Sequence, residues 1–278
     1  MIRVLYMSDL HIEMERRRGW LPLVRPARQS FYVPPLRGVA PPDLIVLAGD
    51  IHNGLLSVAY ADRLAKHFSV PVVLVAGNHE YYFHDLDLMR PRLAEAAAAT
   101  GGRVRFLENE RFDFEVRGKR LHVLGCTLWT DLALNRDVAL SSAIAGEQLN
   151  DFRFIDAGRA RLTPRLTVER HFASRAWLHT QLERLQAEGS RALRLIVTHH
   201  APGPAFLGAR QGAIAPAYAS ELLPEFAASA APAFWVHGHT HYRHETFSSG
   251  LWVVSAPRGY ARESGKEAPP YQPGFMDL

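Results

Sequence analysis

Val72-Val73-Leu74-Val75-Ala76-Gly77-Asn78-His79-Glu80 sets a run of aliphatic, mostly β-branched residues against a short polar cluster. An almost continuous apolar run of this length reads as a strand covered on both faces. Gly77 ends it, and side chains capable of chemistry follow at once. The same pattern recurs along the chain. Residues 2–7 precede Asp9-Leu10-His11, and Leu44–Ala48 precedes Gly49-Asp50. Leu193–Thr198 precedes His199-His200, and residues 233–236 precede His237-Gly238-His239-Thr240-His241. Each cluster falls just past the carboxyl end of a predicted strand, where open α/β sheets place their ligand sites.

Around these runs the chain reads as alternating strands and helices. Residues 104–107 form a further strand, and 112–116 with 121–126 form a hairpin turning at Gly118. Residues 244–247 and 251–255 form another. Apolar residues three or four apart predict helices over 55–68, 84–100, 167–188 and 216–230, with Pro91 near the start of the second or at a kink. Alternation with added hairpins points to a layered α/β fold with mixed sheets, and no repeat or low-complexity linker divides residues 1–278. Residues 15–42 and 130–164 show no regular pattern, and the second stretch is expected as a cap or loop insertion. The tail after Arg262 is polar and Pro-rich, and is expected to wrap the surface or be mobile.

Composition excludes several classes. The 278 residues are 47% hydrophobic and 22% charged, which excludes a disordered, collagen-like or coiled-coil chain. A lone cysteine, Cys126, excludes an intramolecular disulfide. The first residues lack the apolar core of a signal peptide, and no apolar run nears the ~20 residues of a membrane span, so a soluble cytoplasmic protein is expected. A net charge of +4 is dilute over this length, and the densest basic run, Arg16-Arg17-Arg18, gives no strong nucleic-acid signal.

Asp, His and Asn side chains converging on one sheet edge read as metal ligands, and mixed N and O donors suit Zn, Mn, Fe or Ni better than Ca. Eight such side chains exceed one tetrahedral site and would serve two ions if one carboxylate bridged them. Asp9 and His11 lie two apart, so both point the same way on an extended backbone, and His239 and His241 repeat this spacing. Gly49, Gly77 and Gly238 stand before candidate ligands, where the backbone must turn tightly or approach closely.

Asp9-x-His11, Gly49-Asp50, Gly77-Asn78-His79-Glu80, His199 and Gly238-His239-Thr240-His241 together resemble the calcineurin-like metallophosphoesterase superfamily, in its block order. The resemblance implies a four-layer α/β/β/α sandwich, with two mixed β-sheets flanked by helices and a centre of two divalent metal ions at the strand ends. It assigns Asp9, His11, Asp50 and His241 to the first ion, and Asp50, Asn78, His199 and His239 to the second, with Asp50 bridging. Either His199 or His200 fits before Pro202, and His199, directly after Thr198, is preferred. The resemblance further implies attack on phosphorus by a hydroxide bridging the ions. His79 is implied beside the substrate phosphate, as general acid or charge stabiliser.

The arginines that mark the superfamily's protein phosphatases are missing: Ala76 precedes the Gly-Asn-His-Glu block, and Ile51-His52-Asn53-Gly54 follows Asp50. The likeness is therefore closer to the small bacterial phosphoesterases. The expected activity is hydrolysis of small phosphate esters, diesters slightly preferred. A metal-dependent nuclease is the alternative, its basic groove drawn from Arg16, Arg17, Arg18, Arg25, Arg28 and Arg37. An inactive scaffold would have lost ligands, and no ligand position is lost. Tyr81, Tyr82 and Trp129 are expected to pack in the core rather than stack on substrate, and His67, His122, His171 and His179 to be structural.

Overall fold

A computed structural model describes residues 1–14, 33, 40–228, 234–260, 263 and 270–278. In chain order they form β1 (Arg3–Met7), β2 (Leu44–Ala48), α1 (Leu56–Phe68), β3 (Val72–Val75), α2 (Leu86–Ala98), β4 (Val104–Phe106), β5 (Glu110–Val116) and β6 (Lys119–Cys126). There follow α3 (Val138–Gln148), α4 (Asp151–Phe154), β7 (Asp156–Ala157), β8 (Ala160–Arg161), α5 (Pro164–Ala187) and β9 (Leu193–Thr198). The chain ends with α6 (Leu223–Ala228), β10 (Phe234–Val236), β11 (His244–Ser248), β12 (Leu251–Ser255) and β13 (Gly274–Asp277).

Two sheets dominate. One has the order β13-β1-β2-β3-β4 and the other β11-β12-β10-β9-β6-β5. The central strands run parallel, while β13, β11 and β5 are antiparallel to their neighbours, so both sheets are mixed. Alternation along the strands sorts the core into layers. Val4, Tyr6, Val46, Val73 and Val75 face Val123, Leu195, Val197 and Val236 of the other sheet. Leu5, Met7, Ile45, Leu47 and Leu74 point the opposite way, onto Ala61 and Leu64 of α1 and Met89 and Leu93 of α2. On the far side, Leu124, Ile196, Trp235 and Val253 pack on Leu178 and Leu182 of α5 and Phe226 of α6. Helices, sheet, sheet, helices is the expected four-layer order. The buried strands contribute most, since covering each large aliphatic side chain is worth about 1.5–3 kcal/mol.

Four readings need correction. Residues 130–164 are not irregular: Asp137 accepts the Leu140 N–H and caps α3, and α4 and the β7–β8 hairpin follow. These elements are too short to show a period. The tail does not merely wrap the surface, because β13 pairs with β1. Of the helix expected over 216–230, the described residues show a 3-10 turn at Gly212–Ala217 and α6 at Leu223–Ala228, while residues 229–230 lie outside them. Helix α5 starts earlier than expected, with Thr163 accepting the Leu166 N–H and Pro164 at the first turn, where its missing N–H costs nothing. Residues 15–32 and 34–39, most of the stretch read as irregular, lie outside the described residues, as does Ala233. No helix among the described residues is long and apolar enough to cross a membrane.

Beneath the second sheet's edge, His237 Nε2 and His244 Nε2 lie 2.9 Å apart, with Phe206 stacked on His244 at 4.6 Å. Burial pushes the His244 imidazole down to about 4. Burial and then the neighbouring His244 push His237 down to about 3. A lowered folded-state pKa gives stability that is present above pH 6.5 and lost as the pH falls through the folded value, for His244 about 3 kcal/mol. Urea unfolding of metal-free protein is therefore expected to show a loss of stability between about pH 6.5 and 4. His244→Phe is expected to flatten that loss while lowering the plateau; an unchanged profile would remove His244 as its source.

Candidate metal centre

The parallel strands end at one edge, and the turns leaving them carry the expected ligands. Asp9 follows β1, Asp50 follows β2, Asn78 and His79 follow β3, His199 follows β9, and His239 follows β10. Leaving a strand while turning a side chain back over its end demands unusual backbone. Asp9, His11, Asp50, His239 and His241 all take left-handed φ values between 44° and 66°. Asp and His visit this region more readily than most residues. Close approach explains two glycines: a Cβ on Gly77 would strike Asp50 Oδ1, and one on Gly238 would sit 2.7 Å from Asp9 Oδ2.

Three overlapping sets of ligand atoms lie within 4.8 Å of one another: Asp9, His11 and His241; His11, Asp50 and His79; and Asp50, His199 and His239. Asp50 joins the two ends. Its Oδ2 lies 3.8 Å from His11 Nε2 and 3.9 Å from His79 Nε2, and its Oδ1 lies 3.4 Å from His199 Nε2. His241 Nε2 is 3.5 Å from Asp9 Oδ1 and 3.1 Å from His11 Nε2. His199 Nε2 is 3.1 Å from both Asn78 Oδ1 and His239 Nδ1. His200 points Nδ1 toward Thr127 O at 3.2 Å, its ring packs between Trp129 and His239, whose centroid is 4.1 Å away, and it belongs to none of the three sets. Burial and then the charge of His199 push its pKa down to about 3. His199→Ala is expected to lose metal and His200→Phe to keep it, measured as bound metal per chain.

A second ring of contacts aims the imidazoles. His199 Nδ1 donates to Ala48 O at 2.9 Å, and His241 Nδ1 to Glu263 Oε2 at 2.5 Å, leaving Nε2 free to face the centre. His79 Nδ1 bonds Glu13 Oε1 at 2.7 Å, and the Tyr260 hydroxyl lies 3.2 Å from His79 Nε2. Glu80 serves the backbone: its carboxylate accepts N–H groups of Gly77, Asp50, Ile51 and His52 at 2.7, 2.9, 2.8 and 3.4 Å.

The donor set fits divalent cations. Burial opposes charge on Asp50, yet His199 and His79 hold its pKa well below the usual carboxylate range. Asp9 is lowered too, chiefly by His241 against burial. Two buried anions thus sit among imidazole nitrogens, and the buried Asp9 Oδ2 and His239 Nε2 find no hydrogen-bond partner among the described residues. A divalent cation suits such a mixed set of oxygen and nitrogen lone pairs.

Sequence reading did not find Glu13, Arg210, Tyr260, Glu263 or Asp151. Only Glu13 had a signal, two residues beyond His11. Arg210 Nη2 reaches Glu263 Oε1 at 2.7 Å and His241 Nδ1 at 3.4 Å, and no motif surrounds it. Tyr81, Tyr82 and Trp129 are buried. His122 bonds Asp113 and Ser190, each at 2.8 Å; the Ala192 N–H also reaches Ser190 Oγ, at 3.4 Å. Arg16, Arg17, Arg18, Arg25, Arg28 and Arg37 lie outside the described residues.

Comparison with known proteins gives the family and the fold. The sequence model of the family described as calcineurin-like phosphoesterase matches residues 2–243. The phosphopantetheinyl hydrolase of Mycobacterium tuberculosis superposes with a TM-score of 0.73 at 19% identity, covering 98% of this chain and 95% of its own. A dimetal phosphatase from Danio rerio reaches a TM-score of 0.48 at 18% identity, over 91% of this chain and 86% of that one. No curated protein sequence matches. The first of these structures shares the fold; the second is too distant to carry an argument.

Proposed function

This chain belongs to the calcineurin-like phosphoesterase family, and from that premise we propose that it hydrolyses small phosphate esters, diesters in preference to monoesters, with two divalent metal ions. The observation that carries the reading is Asp50, whose two oxygens face two separate groups of ligand atoms. Asp9, His11, Asp50 and His241 would hold one ion, and Asp50, Asn78, His199 and His239 the other. Bound there, divalent ions supply Lewis-acid charge and acidify water.

The chain's own groups do the rest. Glu13 binds His79 Nδ1 and orients the ring so that Nε2 faces the centre. Burial opposes a charge on His79, but Asp50 and Glu13 outweigh it and push its pKa up to about 9. His79 Nε2, 3.9 Å from Asp50 Oδ2, is thereby placed to give a proton to the departing oxygen as general acid or to stabilise charge on the phosphate. Arg210, ion-paired with Glu263 Oε1 at 2.7 Å, steadies the carboxylate that receives His241 Nδ1 at the rim of the centre. The dilute net charge of +4 supports a small substrate over a polynucleotide.

The test is hydrolysis of bis-p-nitrophenyl phosphate and p-nitrophenyl phosphate by metal-stripped protein, with Mn, Ni, Zn or Mg added back. Metal-restored turnover with a diester-to-monoester ratio above one is expected. A ratio below one would remove the diester preference, and no turnover with two ions bound would remove the activity. A phosphopantetheinyl ester, the kind of ester the Mycobacterium tuberculosis hydrolase is named for, is a further ester to try with the metal-restored protein.

A further inference from the structure

Residues 130–164 send one side chain to the candidate centre. Asp151 opens α4 and is 3% exposed. Its Oδ1 accepts Asn78 Nδ2 at 2.8 Å and the Tyr82 hydroxyl at 2.8 Å, and Asn78 Nδ2 also lies 3.2 Å from the Tyr82 oxygen. At its other end, Asn78 presents Oδ1 to His199 Nε2 at 3.1 Å. A side-chain amide has one accepting and one donating end, so a flip exchanges them. A carboxylate oxygen that already accepts a tyrosine hydroxyl tolerates only the NH2 end. From this geometry we infer that Asp151 is a positioning residue, locking Asn78 with its carbonyl oxygen toward the ligand group formed with Asp50, His199 and His239. The inference rests on the metal-centre reading above.

The carboxylate is itself held firmly. The Phe83 N–H donates to Phe154 O at 2.7 Å, and the Asp156 N–H to His84 O at 3.0 Å. The Phe154 ring lies 5.1 Å from Phe83 and 5.7 Å from Tyr82. The turn carrying Asn78 and the helix carrying Asp151 are thus stapled together by backbone bonds and aromatic packing. Without the carboxylate, the amide is free to turn its NH2 group inward. An NH2 group has no lone pair for a cation and repels it.

Calorimetric titration of metal-free protein with Mn tests this. Asp151→Leu is expected to weaken one Mn site by about 10- to 100-fold, the usual cost of losing a partner that orients a ligand, and to leave the other within about twofold. If Asp151 acts through Asn78, the loss does not add: Asn78→Ala with Asp151→Leu binds as weakly as Asn78→Ala alone. Additive losses, or unchanged affinity in Asp151→Leu, would overturn the assignment, as would equal weakening of both sites. Asp151→Ala, which also removes the acceptor oxygen, serves the same cycle if Asp151→Leu does not fold. Wild-type protein that binds two Mn ions without hydrolysing any ester would sink the activity reading and leave this cycle readable. Wild-type protein that binds no Mn would end both.

Discussion

Asp50→Asn is expected to lower phosphate-ester hydrolysis by on the order of a thousandfold or more and to release metal from both ends of the centre. The substitution keeps the size of the side chain and removes its charge. Asp50 Oδ1 faces His199, and Oδ2 faces His11 and His79. Only a carboxylate offers lone pairs on both sides; an amide would turn an NH2 group toward one set. Oδ1 also accepts the His79 N–H at 2.8 Å, which Asn retains if its oxygen takes that place. The fold should therefore survive, and circular dichroism with metal analysis separates the loss of metal from unfolding. Wild-type turnover by Asp50→Asn would remove the shared-carboxylate centre altogether.

The largest effect on stability is expected at Glu80. Its carboxylate is fully buried and is the acceptor for four backbone N–H groups from the two turns that carry Asp50 and Asn78. Glu80→Ala strands those donors where water does not reach. Each unsatisfied buried donor costs about 1–3 kcal/mol, so a total of at least about 4 kcal/mol is expected, enough to lower the melting temperature by about 10 °C in a protein of this size. Glu80→Gln keeps one oxygen but turns an NH2 group on the remaining donors, and should fall between. Thermal melts of metal-free protein check this, and a melting point within a degree of wild type for Glu80→Ala would show that the turns hold without it.

The pairing of short ligand clusters with strand ends was legible because both parts are local. Val72–Val75 and the residues 77–80 after it announce a strand and a turn within one window. The layered α/β class followed from near-continuous apolar strands alternating with helices, whereas the four-layer order was implied by the resemblance of the ligand blocks to the superfamily. What stayed hidden depends on distance along the chain. Asp151 meets Asn78 across 73 residues, and Arg210 meets Glu263 across 53, with no pattern linking either pair. Strand β13 escaped because Gly274–Asp277 is too short to show alternation and exists through its pairing with β1. Glu80 was visible as part of the Gly-Asn-His-Glu block, but its task concerns backbone N–H groups that no side-chain pattern exposes.

The left-handed backbone at Asp9, His11, Asp50, His239 and His241 bears on how such a centre persists. Each such residue costs on the order of 1 kcal/mol relative to an ordinary conformation, and glycine would relieve it. The ligand turns are therefore among the places where the backbone is held off its easiest conformation, as it is at Phe83, Leu128 and Trp129. Glycine in the ligand turns would ease the backbone, but at Asp9 and Asp50 it would strand the buried His239 and His79 backbone N–H groups that their Oδ1 atoms accept. The side chains that could hold an ion thus also tie the turns that carry them, and stability and chemistry are kept by the same residues.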